Sequence, residues 1–533
     1  MNLYEILAKT AAKYPARSAL YYEGKHWTYR QLINEIDLAA QKMAGLGIKE
    51  GEVIAQCMPN CPSSVFIFYA SAKLGAISYL IHPLSPVKQI IKFMEKSRSQ
   101  KIFILNVFSS SLTPMLHQQG YQVIAVNPYA RVSLFKSALA LAKAKGNHRA
   151  KSFFFAPKGK IKTTTRTDTQ TAVYLNSGGT SGDPKIIELS SKAINALALE
   201  GFNIVGSNNP EMFKMLAVLP LFHGFGLCMG LHAPLVLGGQ ATLLTKFKAP
   251  VVNKLILQNE VKIIIGVPTL FTALLNSDGF AGPHLQNLAV AYIGGDSVPQ
   301  SLLDRFNSLM KKYNSPARLL EGYGLTETVT VNAVNTLTSN RLHSAGKPLG
   351  IIDIKILDLE SHQEVKPNEL GEIAVKGPTM MNGYLDDEMT TAKTFYDIPG
   401  AGQYILTKDI GYLDNDGYLF FRQRIKRIIK VNGINVFPTD IERIVLNFPE
   451  VFEAYVIGIT DQRLGSIARL FLSLNKDYTN VNPNELKAKI VEKIKEEMPV
   501  YALPKDIIIL EHLPKTSVGK IDLTKLTSYE ENR

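Results

Sequence analysis

Short β-branched and apolar runs, several of them ending in glycine-rich turns, alternate with longer amphipathic stretches over most of the chain. That alternation limits the fold more than any other feature, because it describes layered α/β structure with helices covering a mostly parallel sheet. Strands are predicted at 51–56, 101–105, 171–175, 216–219, 261–265 and 288–293. Open sheets of this kind bind ligands beyond the carboxyl ends of their strands, so the turns that follow are where chemistry is sought. Three such turns are Asn176–Gly182, Gly294–Gly295 and Gly322–Gly324. From about Gly371 the texture changes to strand and turn, with Gly411, Asp414, Asp416 and Gly417 marking a hairpin. Beyond the cationic strip Arg422-Gln423-Arg424-Ile425-Lys426-Arg427 the chain has its own helices (439–447, 484–497) and strands (454–459, 470–474). A small second domain joined at the strip is the reading.

A length of 533 residues accommodates three or four folding units, and 46% hydrophobic residues exclude a largely disordered chain. Cys57, Cys61 and Cys228 are too few and wrongly spaced for a disulfide framework or a zinc site. They fit a reducing, cytoplasmic setting. The start, Met1 to Leu7, reads as an amphipathic helix rather than a basic leader. The longest uncharged run, Met215 to Thr245, is interrupted by Pro220, Pro234, His223, His232 and several glycines, so no spanning segment is expected. The net charge of +13 has a local origin. Between Glu95 and Asp168 there are 13 basic residues and no acidic one, and the remainder of the chain balances. Such a segment, 96–167, argues for one anion-facing surface.

Four constellations can carry chemistry. In Ser177-Gly178-Gly179-Thr180-Ser181-Gly182-Asp183-Pro184-Lys185, hydroxyls and backbone N–H groups can surround a phosphate, with Lys185 adding charge. A plain turn is the rival reading. Pro184 before the lysine excludes a Walker A loop, and Asp183 excludes a nucleophile elbow. In Glu321-Gly322-Tyr323-Gly324-Leu325-Thr326-Glu327-Thr328 an aromatic ring can stack on a base, while Thr326 and Glu327 suit a phosphate oxygen and Mg²⁺. A capped helix start would use the same residues. Thr407-Lys408-Asp409, together with Arg424, offers a carboxylate for two ribose hydroxyls. The last, Pro514 to Asp522, places Lys520 on a glycine loop, which alone reads as solvated surface.

Taken in order, and with Leu219-Pro220-Leu221-Phe222-His223-Gly224, Val267-Pro268-Thr269, Gly294-Gly295-Asp296, Gly371-Glu372-Ile373, Asp416-Gly417-Tyr418-Leu419 and Arg424-Ile425-Lys426, these pieces span nearly the whole chain. They resemble the adenylate-forming superfamily of acyl- and aryl-CoA synthetases, peptide-synthetase adenylation domains and beetle luciferases. The resemblance implies an α/β fold: a large N-terminal domain (1–423) of layered subdomains with a β-barrel-like part, a hinge at 424–426, and a small mobile α+β domain (427–533). It also implies ATP, Mg²⁺ and CoA as cofactor, metal and co-substrate. On this resemblance Ser177, Gly178, Gly179, Thr180, Ser181, Gly182 and Lys185 hold the β- and γ-phosphates. Glu321, Gly322, Tyr323 and Gly324 bind the nucleotide with Gly295 and Asp296, Tyr323 lining the adenine slot. Thr326 meets the α-phosphate, Glu327 holds the metal, and Asp409 with Arg424 fixes the ribose. Lys520 is the catalytic lysine between substrate carboxylate and α-phosphate. Lys426 is the pivot, and Lys430 and Gly433 belong to the face that forms a pantetheine channel after rotation. This inventory suits the reaction, since a carboxylate is already anionic at pH 7 and needs cations and positioning rather than a general base.

Lys408 and Gln423 stand where the family has glycine, Arg427 where it has an acid, and His82 where it has asparagine. The absence of a carboxylate after Phe222 argues against an α-amino acid substrate. His223 is a candidate gate for the acyl pocket, with Gly294, Gly324 and neighbouring glycines leaving room for a tail or ring. A medium- or long-chain fatty acid is expected, ahead of aryl or bile-acid-like acids. A carrier-protein phosphopantetheine is the alternative acceptor to CoA, and a non-catalytic binding relative is the reading from another class. The basic segment, with Phe153-Phe154-Phe155, suggests peripheral contact with an anionic membrane at its inner face. A solvated basic face with a buried Phe strand is the plainer alternative, and no nucleic-acid motif accompanies it.

Overall fold

The computed structural model describes the chain apart from Ala130, 134–135, 138–149, 178–183, Ser297, Gly433, Gln462, 476–477, 479–480, 516–520 and 531–533. Its large N-terminal unit rests on two wide sheets. One has nine strands, in the order Lys347–Pro348, Ala333–Val334, Leu319–Tyr323, Val290–Ile293, Ile263–Gly266, Lys214–Ala217, Gln240–Leu243, Ser18–Tyr22 and Lys25–Thr28. The six strands from Leu319–Tyr323 to Ser18–Tyr22 are parallel to one another, and the strands outside them at both ends run antiparallel. The other has eight, in the order Gly383–Tyr384, Ile186–Ser190, Thr171–Asn176, Ile77–Leu80, Val53–Cys57, Lys101–Leu105, Gln122–Val126 and Lys151–Ser152. The six strands predicted between residues 51 and 293 all fall in these two sheets, within a few residues of their expected ends.

Why the sheets stay together follows from the helix Pro62–Leu74. All of its residues but Lys73 are buried, so it is apolar all round and has no solvent face. A helix of that kind must lie between layers. One continuous core runs through it from both large sheets into a third, antiparallel sheet of residues 353–424, through Ile354, Ile373, Val375, Ile405 and Leu419. This third sheet is the barrel-like part, and its hydrogen-bond order is open: Asp353–Leu357, Gly371–Lys376, Gly402–Leu413 and Phe395–Ile398, with Leu419–Arg424 on the far half of the long strand. Its hairpin at Asp414–Gly417 is the predicted one, with Gly417 at φ +78° and Arg341 pairing with both Asp414 and Asp416.

The small domain has its own sheet, Ile434–Val436, Ile429–Val431, Gly465–Leu474 and Val451–Asp461, with Asp506–Leu510 added in parallel. Its helices Pro438–Val445 and Pro483–Glu497 enclose a core separate from that of the large unit. Met215 to Thr245 is strand, π-helix (Phe225–His232), α-helix and strand rather than one long helix. Within it His232 is a core histidine: Tyr69 Oη lies 2.9 Å from one ring nitrogen and Asn195 Oδ1 2.8 Å from the other. Burial pushes its pKa down to about 3. Among the described residues no helix is long and apolar enough to cross a membrane, and the three cysteines are free and buried.

Candidate active site

The carboxyl ends of the nine-stranded sheet, the third sheet and the small domain surround one cleft of about 2570 Å³. On its floor, the strand Leu319–Tyr323 delivers Tyr323, whose hydroxyl donates to Asp409 Oδ2 at 2.8 Å and whose ring stacks on Phe421. Asp409 sits beside a bulge of the long strand and is 3% exposed. Its second oxygen accepts no hydrogen bond, and Arg424 Nε stands 3.4 Å from it. Burial therefore dominates over the guanidinium and raises the Asp409 pKa to about 6. A buried carboxylate oxygen in want of a donor, beside an aromatic ring, fits a pair of ribose hydroxyls.

After Tyr323 the chain makes a 3₁₀ turn, Thr326–Thr328, and then places Val329 at φ +67° and ψ −63°. Thr330 N donates back to Thr328 O at 2.8 Å, closing a γ-turn. For a buried β-branched residue this backbone is strained. The strain lets the loop press on two glycines: a Cβ at Gly224 would come 1.7 Å from Val329 O, and one at Gly324 would come 1.3 Å from Thr330 O. Gly324 and Gly224 thus line the cleft with backbone, and their missing side chains serve close packing. The reading that they leave room for an acyl tail is corrected here. Gly226 likewise faces Pro220 O, and Gly230 is not in the cleft wall.

Glu327 accepts from Tyr384 Oη at 2.9 Å. The Lys185 ammonium lies over the same tyrosine ring, at 4.9 Å, and 4.0 Å from Asp387. Tyr384 and Asp387 are residues the sequence reading missed, although the Gly383-Tyr384 pair after a β-rich run carries the same signal as Gly322-Tyr323. Burial lowers the Lys185 pKa, opposed by Asp387, and the nearby charges of Lys408 and Lys426 lower it further. Three lysines therefore face a common space that also receives Glu327. Ser177 and Lys185 close the ends of their loop on each other, Ser177 N to Lys185 O at 2.8 Å and Lys185 N to Ser177 Oγ at 3.0 Å. Gly178, Gly179, Thr180, Ser181 and Gly182 lie outside the described residues.

Gly294, Gly295, Asp296, Glu321 and Gly322 also line the cleft, and Gly295 takes φ +84°, which accounts for glycine there. Burial raises Glu321 to about 7. His223 lines the cleft beside Phe222, and His82 packs against the same phenylalanine at 4.5 Å. His82 Nδ1 accepts from Leu84 N at 2.9 Å, so its neutral ring carries the proton on Nε2. Inward from these residues the wall becomes apolar: Phe213, Met215, Met229, Ala233, Ile265 and Tyr292, all buried.

The hinge lysine Lys426 lines the cleft, and the small domain closes it with His512, Leu513 and Ile521 among others. Lys520 lies outside the described residues, but its neighbours Lys515 and Ile521 form a β-bridge at this wall. Lys430 is exposed and away from the cleft wall, and Gly433 is outside the described residues. At the junction Arg422 pairs with Asp440, and Thr439 Oγ1 donates to Arg422 O at 2.9 Å. Gln423 is buried against Thr439, and Arg427 pairs with Glu442 while lying over the Tyr455 ring. Among the described residues no three His, Cys, Asp or Glu side chains gather to hold a metal by themselves.

The AMP-binding enzyme model matches residues 7–385, and the AMP-binding enzyme C-terminal domain model matches residues 440–520. The chain belongs to the AMP-binding enzyme family, within the adenylate-forming superfamily its motifs resemble. It is therefore an enzyme, and its relatives are acid–CoA ligases. The long-chain-fatty-acid–CoA ligase of Bacillus subtilis (strain 168) is 26% identical over 544 residues, covering 99% of this chain and 94% of the relative. The 2-succinylbenzoate–CoA ligase of Listeria innocua is 26% identical over 530 residues, covering 99% of each. The solved structure of O-succinylbenzoate CoA synthetase (MenE) from Bacillus subtilis, in complex with ATP and magnesium ion, superposes with a TM-score of 0.80. It is 25% identical and covers 98% of this chain and 99% of that one.

These outcomes follow from this geometry. Gly224→Ala is expected to cost roughly 1–3 kcal/mol in urea unfolding and to lower turnover, because Val329 O must move. Gly230→Ala, whose Cβ would meet nothing nearer than Ile265 Cδ1 at 3.5 Å, is expected to be near neutral in the same assay. Lys408, at φ +60°, occupies a left-handed position, so Lys408→Gly is expected to stabilise the protein by about 1 kcal/mol, read as a higher urea midpoint at unchanged m-value. Nucleotide affinity measured by calorimetry is expected to fall as pH drops through about 6, where Asp409 takes up its proton, and Asp409→Asn to abolish that dependence. Because the folded pKa lies above the ordinary carboxylate value, this group's contribution to stability has the opposite sign: it is present in acid and lost as pH rises through about 6.

Proposed function

We propose that this enzyme joins a carboxylic acid to AMP, using ATP, and then transfers the acyl group to CoA, with a medium- or long-chain fatty acid as its substrate. The observation that carries the reading is the joining, in one cleft, of a cation-lined nucleotide floor to an apolar inner chamber. Asp409 and Tyr323 orient the nucleoside, while Lys185 and Thr326 take up phosphate oxygens. The acid enters with its tail among Met215, Met229 and Ile265 and its carboxylate near His223. Lys520, the catalytic lysine of the family motif, holds that carboxylate against the α-phosphate. The carboxylate then attacks phosphorus and pyrophosphate leaves.

A single carboxylate, Glu327, held by Tyr384, suits a hard cation that arrives with its nucleotide and takes its other ligands from phosphate and water. Bound there, Mg²⁺ would neutralise charge on the leaving pyrophosphate. The chamber favours a fatty acid over a dicarboxylic acid such as 2-succinylbenzoate. Its six inner residues include no Lys, Arg or His, and the Tyr292 hydroxyl is already given to Ile204 O at 2.8 Å. A second carboxylate buried there would go unpaired.

Thioester formation then calls for the small domain to turn about Lys426, bringing Lys430 and Gly433 to the cleft. Arg427 is fastened within the small domain through Glu442 and Tyr455, so it would travel with it, whereas the Arg422–Asp440 pair crosses the junction and would have to break. The test is a panel of carboxylic acids with ATP and Mg²⁺, following pyrophosphate with and without CoA. Multiple turnover only with CoA, favouring acids of about eight to eighteen carbons, is expected, with a loss of about a hundredfold or more in Lys520→Ala. Turnover on 2-succinylbenzoate above that on fatty acids would overturn the substrate, and exchange without CoA thioester would turn the acceptor to a carrier protein.

A further inference from the structure

The stretch between Glu95 and Asp168 that contains no acid meets an unusual piece of surface at Phe153–Phe155. The three phenylalanines form a 3₁₀ turn directly after the edge strand Lys151–Ser152 of the eight-stranded sheet. Phe153 anchors the turn, edge-on to the buried Phe103 ring at 5.4 Å. Phe154 and Phe155 stand out into solvent, 45% and 74% exposed. The alternative of a buried Phe strand is thus set aside for these two rings.

This turn is fastened on both sides. Lys42 Nζ donates to Phe154 O at 2.7 Å and lies over the Phe153 and Phe154 rings. Past the turn the chain crosses the end of the helix Tyr29–Gly45, with Gly159 N donating to Gln41 O at 2.8 Å. The approach is close enough that a Cβ at Gly45 would come 1.9 Å from Pro157 O, and one at Gly159 would come 2.7 Å from Gly45 N. Lys151, Lys158, Lys160 and Lys162 are exposed around it, and none has an acidic partner among the described residues. Two large apolar rings held rigidly in water, among unpaired ammonium groups, form an amphipathic tip rather than an ordinary solvated face.

We propose that this tip docks the enzyme on an anionic lipid bilayer, Phe154 and Phe155 entering at headgroup depth and the four lysines pairing with lipid phosphates. Lysines near such a surface attract it additively, at about fivefold in affinity each, and the aromatic tip adds burial that a soluble polyanion cannot supply. A nucleic acid would need an open ring face for stacking. Lys42 covers the Phe154 face, and Phe154 and Phe155 are packed edge to face at 85°. A second copy of the chain would bring the same lysines against one another. The proposal stands apart from the identity of the acid, since it concerns only where the enzyme resides.

The full chain is to be sedimented with vesicles of phosphatidylcholine alone and of phosphatidylcholine with phosphatidylglycerol. Partitioning at least tenfold stronger on the anionic vesicles, and weakened by salt, is expected. Phe154→Ser with Phe155→Ser should lower it tenfold or more, with an unchanged melting curve showing that the fold survives. Lys158→Gln, Lys160→Gln and Lys162→Gln together should flatten the salt dependence. Binding that ignores vesicle charge, or that the double phenylalanine variant leaves intact, overturns the proposal. Tighter, phenylalanine-dependent binding to tRNA than to anionic vesicles overturns it in favour of nucleic acid.

Discussion

The site depends on one strained turn. Val329 is fully buried yet holds a γ-turn backbone at φ +67°, and its carbonyl and that of Thr330 press on Gly224 and Gly324. This brings the loop after Tyr323 against the segment 219–226, which belongs to a different strand end. Thr326 and Glu327 on one side and His223 on the other are thereby held at a fixed spacing. Glu327 is fixed from the other side as well, its carbonyl accepting from Met381 N at 2.8 Å and its carboxylate from Tyr384 Oη. Burial of the Val329 side chain in the main core offsets the local cost, which is how a strained residue persists at a functional site.

Around that turn the electrostatics are deliberately unequal. Lys185, Lys408 and Lys426 converge from three separate elements, with Glu327 and Asp387 as nearby acids, so the space between them attracts anions. Asp409 is the counterexample: it is buried, only loosely paired to the half-exposed Arg424, and left with an oxygen that accepts nothing. Lys408 illustrates how the two demands meet. Its place in the bulge, where Glu372 accepts its N–H at 2.8 Å, asks for glycine, while its side chain adds a charge to the cleft.

Motifs were legible wherever function requires particular residues close in sequence. Tyr323, Thr326 and Glu327 lie within five residues, and Asp409, inside the strand Gly402–Leu413, is the cross-strand partner of Arg424 at the end of Leu419–Arg424. Tyr384 was missed because it reaches Glu327 across 57 residues, through a two-stranded edge pairing with Ile187 and Glu188 that no local pattern announces. The glycines were seen and partly misread, since a missing side chain leaves open whether space or another backbone lies opposite. Phe153–Phe155 was read with two outcomes, and only packing against Phe103 and the Gly45 crossing separates the anchored ring from the exposed pair.

From the sequence by itself came the α/β layering, the change of texture near Gly371 and the small second domain, and, through the resemblance of its ordered motifs to a known family, the adenylate-forming chemistry. The first three rest on periodicity and turn residues, and so on interactions between residues near in the chain. Tertiary structure alone decided which glycines admit a neighbouring backbone, which oxygen of Asp409 stays unpaired, and how the apolar chamber is walled. Those properties belong to contacts between distant segments, and close packing leaves them no signature in local composition.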